Sequence, residues 1–150
     1  MHNCILMKVL QISARDTHSL RHKVLRQGRP IEECYFDGDE DDQTFHLGAF
    51  VETKLVSVAS FFYERNPAFE DVDQYRLRGM ATLEDHRGGG HSRALLRTAF
   101  PIIKQNFCSL VWCNARVSAV GFYEKTGFTS FGDVFEVPII GEHLLMFRKI

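Results

Sequence analysis

Residues 80–96 read Met80-Ala81-Thr82-Leu83-Glu84-Asp85-His86-Arg87-Gly88-Gly89-Gly90-His91-Ser92-Arg93-Ala94-Leu95-Leu96. The stretch up to Leu83 closes a predicted strand, and a glycine triplet then turns the chain. From about Ser92 the apolar residues Leu95, Leu96, Ala99, Ile102 and Ile103 recur at helical spacing, with Arg93, Arg97 and Lys104 opposite. A strand that passes through glycines into a helix makes an anion site. The first N–H groups of a helix lack internal partners and lie at the positive end of its dipole. Glycines let the backbone close on a phosphate, and Arg87 can add a charge-assisted bond. The plainer alternative is that Gly88-Gly89-Gly90 is only a flexible connection.

Two phosphate motifs are excluded. Walker A requires a Lys after its last glycine, and none follows here. The dinucleotide fingerprint finds Gly88 and Gly90 but meets Arg93 where its third glycine belongs.

Outward from this stretch, β-rich runs predict strands at 5–12, 44–51, 55–63 and 72–83, then 110–113, 128–136 and 139–148. Glu52-Thr53-Lys54 joins the second and third as a hairpin. Gly79 marks a bulge or a close backbone approach inside the fourth. A helix opens at Arg15-Asp16-Thr17, capped by Asp16 or Thr17, and is ended by Gly28 and Pro30. Pro101 predicts a kink or an early end of the 92-onward helix near Phe100. A last helix spans 117–126 and is closed by Gly127. The order of elements gives a mixed α/β layer fold in a single domain, residues 1–150.

Hydrophobic residues are 45% and charged residues 25% of the chain, which excludes wholesale disorder. Eighteen Lys and Arg against 19 Asp and Glu leave a net charge of −1, which argues against a nucleic-acid partner. No apolar run approaches the roughly 18 residues of a membrane span, and the start from Met1 to Lys8 does not read as a signal peptide. Cys4, Cys34, Cys108 and Cys113 form no Cys-x-x-Cys pair and no zinc-type spacing, so no metal is expected. Free thiols point to the cytoplasm. The run Asp37-Gly38-Asp39-Glu40-Asp41-Asp42 reads as a solvated loop, or as an electrostatic lure for a cationic substrate.

Arg87-Gly88-Gly89-Gly90-His91-Ser92 resembles the Gln/Arg-x-x-Gly-x-Gly/Ala motif of the GNAT superfamily of acetyl-CoA-dependent N-acetyltransferases, with Ser92 in place of the final Gly or Ala. Glu84 stands where the family commonly has a proline. Downstream, Asn114-Ala115 and Gly121-Phe122-Tyr123-Glu124-Lys125-Thr126-Gly127-Phe128 resemble the family's Phe-Tyr-x-Lys-x-Gly-Phe signature, in the family's order and separation. The likeness is sharp over about residues 72–131 and diffuse in the N-terminal third.

The resemblance implies a central, mostly antiparallel sheet of six or seven strands, splayed between the strands at about 72–83 and 109–114, with helices on both faces. It implies acetyl-CoA as co-substrate. The pyrophosphate would rest on backbone N–H groups from Arg87 through Gly88, Gly89, Gly90 and His91 to Ser92. The pantetheine arm would pair with the backbone of Met80, Ala81 and Thr82 in the manner of an added strand. Asn114 would hydrogen-bond the arm and Phe122 would pack along it. Tyr123 would be the general acid for the departing CoA thiolate, a phenol of ordinary pKa about 10 serving a thiol of about 8.5. The acceptor is a primary amine on a small molecule or peptide, and its identity is not readable. The general base is equally unreadable: Glu52, Glu64, Glu84 and His46 are candidates, each equally at home on a solvated face. The alternative is a catalytically silent acyl-CoA-binding sensor that kept the groove. The protein would act as a monomer or homodimer, its strand edges allowing the latter.

Overall fold

The computed structural model describes residues 6–150, so Cys4 and the first residue of the predicted 5–12 strand lie outside the described residues. Seven strands are ordered β1-β2-β3-β4-β5-β7-β6. They are β1 (Met7–Ile12), β2 (Phe45–Val51), β3 (Lys54–Tyr63), β4 (Gln74–Thr82), β5 (Leu110–Arg116), β6 (Thr129–Val137) and β7 (Gly141–Lys149). Among the described residues the α-helices are α1 (Ala14–Leu20), α2 (His91–Gln105) and α3 (Val120–Lys125). The expected mixed fold, seven strands and mostly antiparallel, is present. The pairs β1–β2, β2–β3, β5–β7 and β6–β7 run antiparallel, and β4–β5 runs parallel.

The chain divides into two compact units, residues 1–62 with 79–99 and residues 63–78 with 100–150. In the first, the β2–β3 hairpin turns at Glu52, whose φ of +55° suits the tight connection. Leu20 of α1 packs against Val58 and Ala81, with Ile12, Val24, Leu25, Leu55 and Leu83 around them. Burying such side chains contributes roughly 1.5–3 kcal/mol each, which fixes α1 on the sheet. Helix α1 begins at Ala14, its cap three residues ahead of the nearer expected one, Asp16. Ser13 is its cap, Ser13 Oγ accepting from Asp16 N–H at 3.3 Å while Asp16 Oδ2 accepts from Ser13 N–H at 3.2 Å. Asp16 therefore completes a capping box from inside the helix and is not the cap. The α-helical turns end at Leu20 and a single π-helical turn, Arg21–Leu25, follows, so the helix stops short of Gly28.

In the second unit the β4–β5 register consists of Gln74↔Leu110, Tyr75↔Val111 and Arg76↔Trp112. Both strands run on past it, β4 to Thr82 and β5 to Arg116. Strand β5 is longer than the predicted 110–113, and Asn114 lies within it rather than after it. Phe69 closes over Leu110 and Trp112, with Leu145 and Phe147 beside them.

The expected break at Pro101 does not occur, and α2 continues to Gln105. Leu95, Leu96, Ala99 and Ile103 are all fully buried, so burial on both sides of the proline holds the helix together. Pro101 and Arg97, whose carbonyl loses its partner, both face solvent, where water can satisfy that carbonyl.

Candidate active site

The glycine turn has open space in front of it. Gly88 and Gly90 hold φ of +81° and +82°, and nothing lies within 4 Å of where a Cβ on either would stand. Arg87 is exposed beside them. Ala94 N–H donates to Gly90 O at 3.0 Å. The N–H groups of His91, Ser92 and Arg93 precede it in the first turn and have no acceptor within the helix. These features suit a diphosphate: an open cradle, backbone donors, the positive end of a 15-residue helix and an exposed cation. The His91 side chain turns inward instead. It is buried, with Nδ1 3.2 Å from Met7 Sδ and its ring 5.9 Å from that of His86. His91 Nε2 lies 2.8 Å from where a Cβ on Gly89 would stand, against the turn itself.

Ser92, the departure from the family's Gly or Ala, has a structural use. Its Oγ lies 2.9 Å from Thr82 Oγ1, which lies 2.7 Å from Ser57 Oγ. This chain of three hydroxyls ties β3 and the end of β4 to the start of α2. Ala81 is buried beneath. Gly79 takes φ of +65°, and a Cβ on it would stand 2.9 Å from Phe36 Cε2, the close approach expected of a glycine inside a strand.

Asn114, Phe122 and Tyr123 belong to the other unit. Tyr123 is 8% exposed, its ring 5.2 Å from Phe122 and 5.3 Å from Phe128. Burial pushes its phenol well above the ordinary tyrosine range, and the Cys113 thiol beside it adds to this, so the phenol keeps its proton at neutral pH. The end of α3 is anchored. Thr126 and Phe128 N–H both donate to Tyr123 O at 3.0 Å, and Arg148 donates to Thr126 O while lying 4.0 Å over the Phe100 ring. Asn114 is exposed on β5 opposite Leu145.

The four candidate bases fare poorly. Glu64 Oε2 accepts from Arg76 Nη1 at 3.0 Å, and the Glu64 carbonyl accepts from Trp112 Nε1 at 2.9 Å. Glu52 and Glu84 are exposed in a hairpin turn and a 3-10 turn. His46 has both ring nitrogens committed, Nδ1 to Ser60 Oγ at 2.7 Å and Nε2 to Asp39 O at 3.0 Å. A carbonyl only accepts, so Nε2 carries the proton, and the neutral ring takes the Ser60 hydroxyl proton at Nδ1. Burial lowers the His46 pKa and keeps the ring neutral.

The acidic run is only partly the solvated loop expected. Asp39 turns inward to fully buried Arg21, with Nη1–Oδ2 and Nη2–Oδ1 at 2.7 and 2.9 Å. Arg21 also donates to Cys34 O and Ser60 Oγ, both at 2.8 Å, and lies 4.0 Å over the Phe36 ring. Arg21 is missing from the sequence reading, although position 21 falls on the stripe 17-20-21-24. A charge on a buried stripe signals a buried partner. Asp37, Glu40, Asp41 and Asp42 face solvent.

Among the described residues no group of three or more His, Cys, Asp or Glu is placed to hold a metal, and no helix is long and apolar enough to cross a membrane. Residues 9–128 match the model of the acetyltransferase (GNAT) family. The chain is 37% identical over 145 residues to the uncharacterized N-acetyltransferase YitI of Bacillus subtilis, covering 97% of each. Among solved structures, the NatC complex bound to Gag peptide and CoA shares the fold at TM-score 0.75 and 14% identity, over 96% of this chain and 98% of that one. Escherichia coli ElaA does so at TM-score 0.73 and 16% identity, over 95% and 99%.

Proposed function

Because this chain belongs to the GNAT family of acetyltransferases, we propose that it moves the acetyl group of acetyl-CoA to a primary amine by direct attack, residues 1–150 acting as one catalytic domain. The observation that carries this reading is the open glycine turn at 87–90 heading α2, with backbone donors unpaired by the helix. In this reading Arg87 to Ser92 hold the pyrophosphate through their N–H groups. The backbone of Met80, Ala81 and Thr82 holds the pantetheine amides, Asn114 adds a side-chain hydrogen bond, and Phe122 packs along the arm.

Bound acetyl-CoA supplies an activated thioester. The chain must present the acceptor amine, exclude water and give the departing sulfur a proton. This reading assigns the last task to Tyr123, whose buried phenol holds its proton at neutral pH, and the same burial makes that proton harder to give up. Cysteine chemistry favours direct attack over an acyl-enzyme. Burial pushes the Cys113 thiol up to about 12 and the Cys108 thiol up to about 11, and raises that of Cys34, so none is a ready thiolate. Three buried free thiols also support a reducing, cytoplasmic setting.

The test is free-thiol release from acetyl-CoA across a panel of polyamines, amino sugars, amino acids and N-terminal peptides. Acceptor-dependent release with matching acetylated product supports the transferase. Tight acetyl-CoA binding without release on any of them favours the silent sensor.

A further inference from the structure

We propose that His143 is the general base that takes the proton from the acceptor amine, an inference that rests on the transferase reading above. His143 is only 6% exposed, yet its ring is not satisfied at both ends. Nδ1 lies 2.8 Å from the Gly141 carbonyl, which can only accept, so Nδ1 carries the proton. In the neutral ring Nε2 is then a lone-pair acceptor, and it has no hydrogen-bond partner among the described residues. Nor is it sealed away, since among the described residues the buried side-chain nitrogens without partners are Arg21 Nε and Arg76 Nε. His46, the histidine singled out from the sequence, has neither nitrogen to spare.

The register places this lone pair. His143 stands directly opposite Arg116 and Leu145 opposite Asn114, so His143, Arg116 and Asn114 share one face of the β5–β7 ladder. Cys113, the thiol beside Tyr123, points to the other face. His143 thus presents its open lone pair on the Asn114 face of β5. The ring is held by Phe135, 5.9 Å away and tilted by 29°. The charged group facing it is Arg116 from β5. Phe135 faces it from β6, and the 3-10 turn Val117–Ala119 carries no charge.

The proton balance closes. His143 Nε2 accepts one proton from the substrate ammonium, the C–N bond forms and the C–S bond breaks. On acylation the nitrogen sheds its second proton to solvent, while Tyr123 gives its proton to the sulfur and is reprotonated from solvent, to which His143 also returns the proton it took. Ammonium plus thioester yields amide, thiol and one proton.

The test compares wild type with His143→Asn, whose amide can still donate to Gly141 O but cannot titrate, and with His143→Gln. For wild type, the ascending limb of kcat/KM against pH should match the His143 titration followed by NMR. In both variants kcat/KM should fall roughly 10²- to 10³-fold and lose that limb. Acetyl-CoA affinity by calorimetry should stay within threefold. Activity within threefold of wild type, or a wild-type limb that misses the NMR titration, overturns the role of His143 and leaves the transferase reading standing. Absence of acceptor-dependent thiol release in wild type overturns the transferase reading, and this inference with it. If neither variant folds, the wild-type comparison still decides.

Discussion

Thr82 Oγ1 and Ser92 Oγ lie 2.9 Å apart, joining the last residue of β4 to the first turn of α2 across the glycine loop. Ser57 Oγ extends the chain at 2.7 Å. Ser92→Ala removes one end of it and should cost about 1 kcal/mol. Thr82→Val strands two hydroxyls, one of them fully buried, and should cost more, about 1–3 kcal/mol. Urea unfolding of both variants checks the order, and a Ser92→Ala cost equal to or above that of Thr82→Val would contradict it.

The Arg21–Asp39 pair and His46 predict acid lability. Burial alone would raise the Asp39 pKa, but the Arg21 guanidinium and the Phe36 N–H override it and hold the carboxyl below its ordinary value. Its contribution is therefore present above the ordinary carboxylate range and lost as pH falls through the lowered pKa. Burial lowers the His46 pKa, so as pH falls below about 6.5 the unfolded chain binds a proton that the folded chain refuses. His18, lowered by burial and by Arg21, has the same sign. Unfolding free energy should decline in two stages, from about pH 6.5 and again below about pH 4. His46→Gln should shrink the first stage, leaving the share of His18. Asp39→Asn should cost about 3–5 kcal/mol at pH 7, because it leaves a buried guanidinium without its counter-charge. Denaturant titrations at pH 3–8 measure both.

The strands and helices were legible because their apolar spacing is local, as at Leu95, Leu96, Ala99 and Ile103. The two site motifs are legible through their likeness to the family pattern, the glycines within Arg87–Ser92 and the aromatics within Phe122–Phe128. What stayed hidden depends on contacts distant in sequence. Pro101 reads as a breaker locally, and only the burial of Ile103 and the exposure of Arg97 reverse that. Arg21 meets Asp39 across 18 residues and Ser60 across 39. The placing of His143 on the Asn114 face follows from register, since its pairing with Arg116 spans separate strands.

Tyr123→Phe removes the phenolic proton while keeping the ring packed between Phe122 and Phe128. Turnover should fall roughly 10- to 10³-fold, with little change in acetyl-CoA affinity. An acceptor assay with the purified variant reads this directly. Turnover equal to wild type would remove Tyr123 from the chemistry, with the proton then reaching sulfur from water.

Two glycines separate the architecture of β4 from the proposed phosphate turn. A Cβ on Gly79 would stand 2.9 Å from Phe36 Cε2 and 3.2 Å from Arg21 Nε, on a backbone with φ of +65°. Gly79→Ala therefore meets both the left-handed penalty of about 1–2 kcal/mol and a collision with a packed ring, and Phe36 also covers Arg21. Gly88→Ala meets only the backbone penalty, because its Cβ would enter open space at φ of +81°. If that space is where the diphosphate sits, the added methyl obstructs its approach to the N–H groups. Gly79→Ala should be the more destabilised of the two, by at least about 1 kcal/mol, while Gly88→Ala should show the larger rise in KM for acetyl-CoA. Thermal unfolding and initial-rate kinetics on both variants measure the two effects separately. A Gly88→Ala enzyme with unchanged KM for acetyl-CoA would place the phosphates elsewhere.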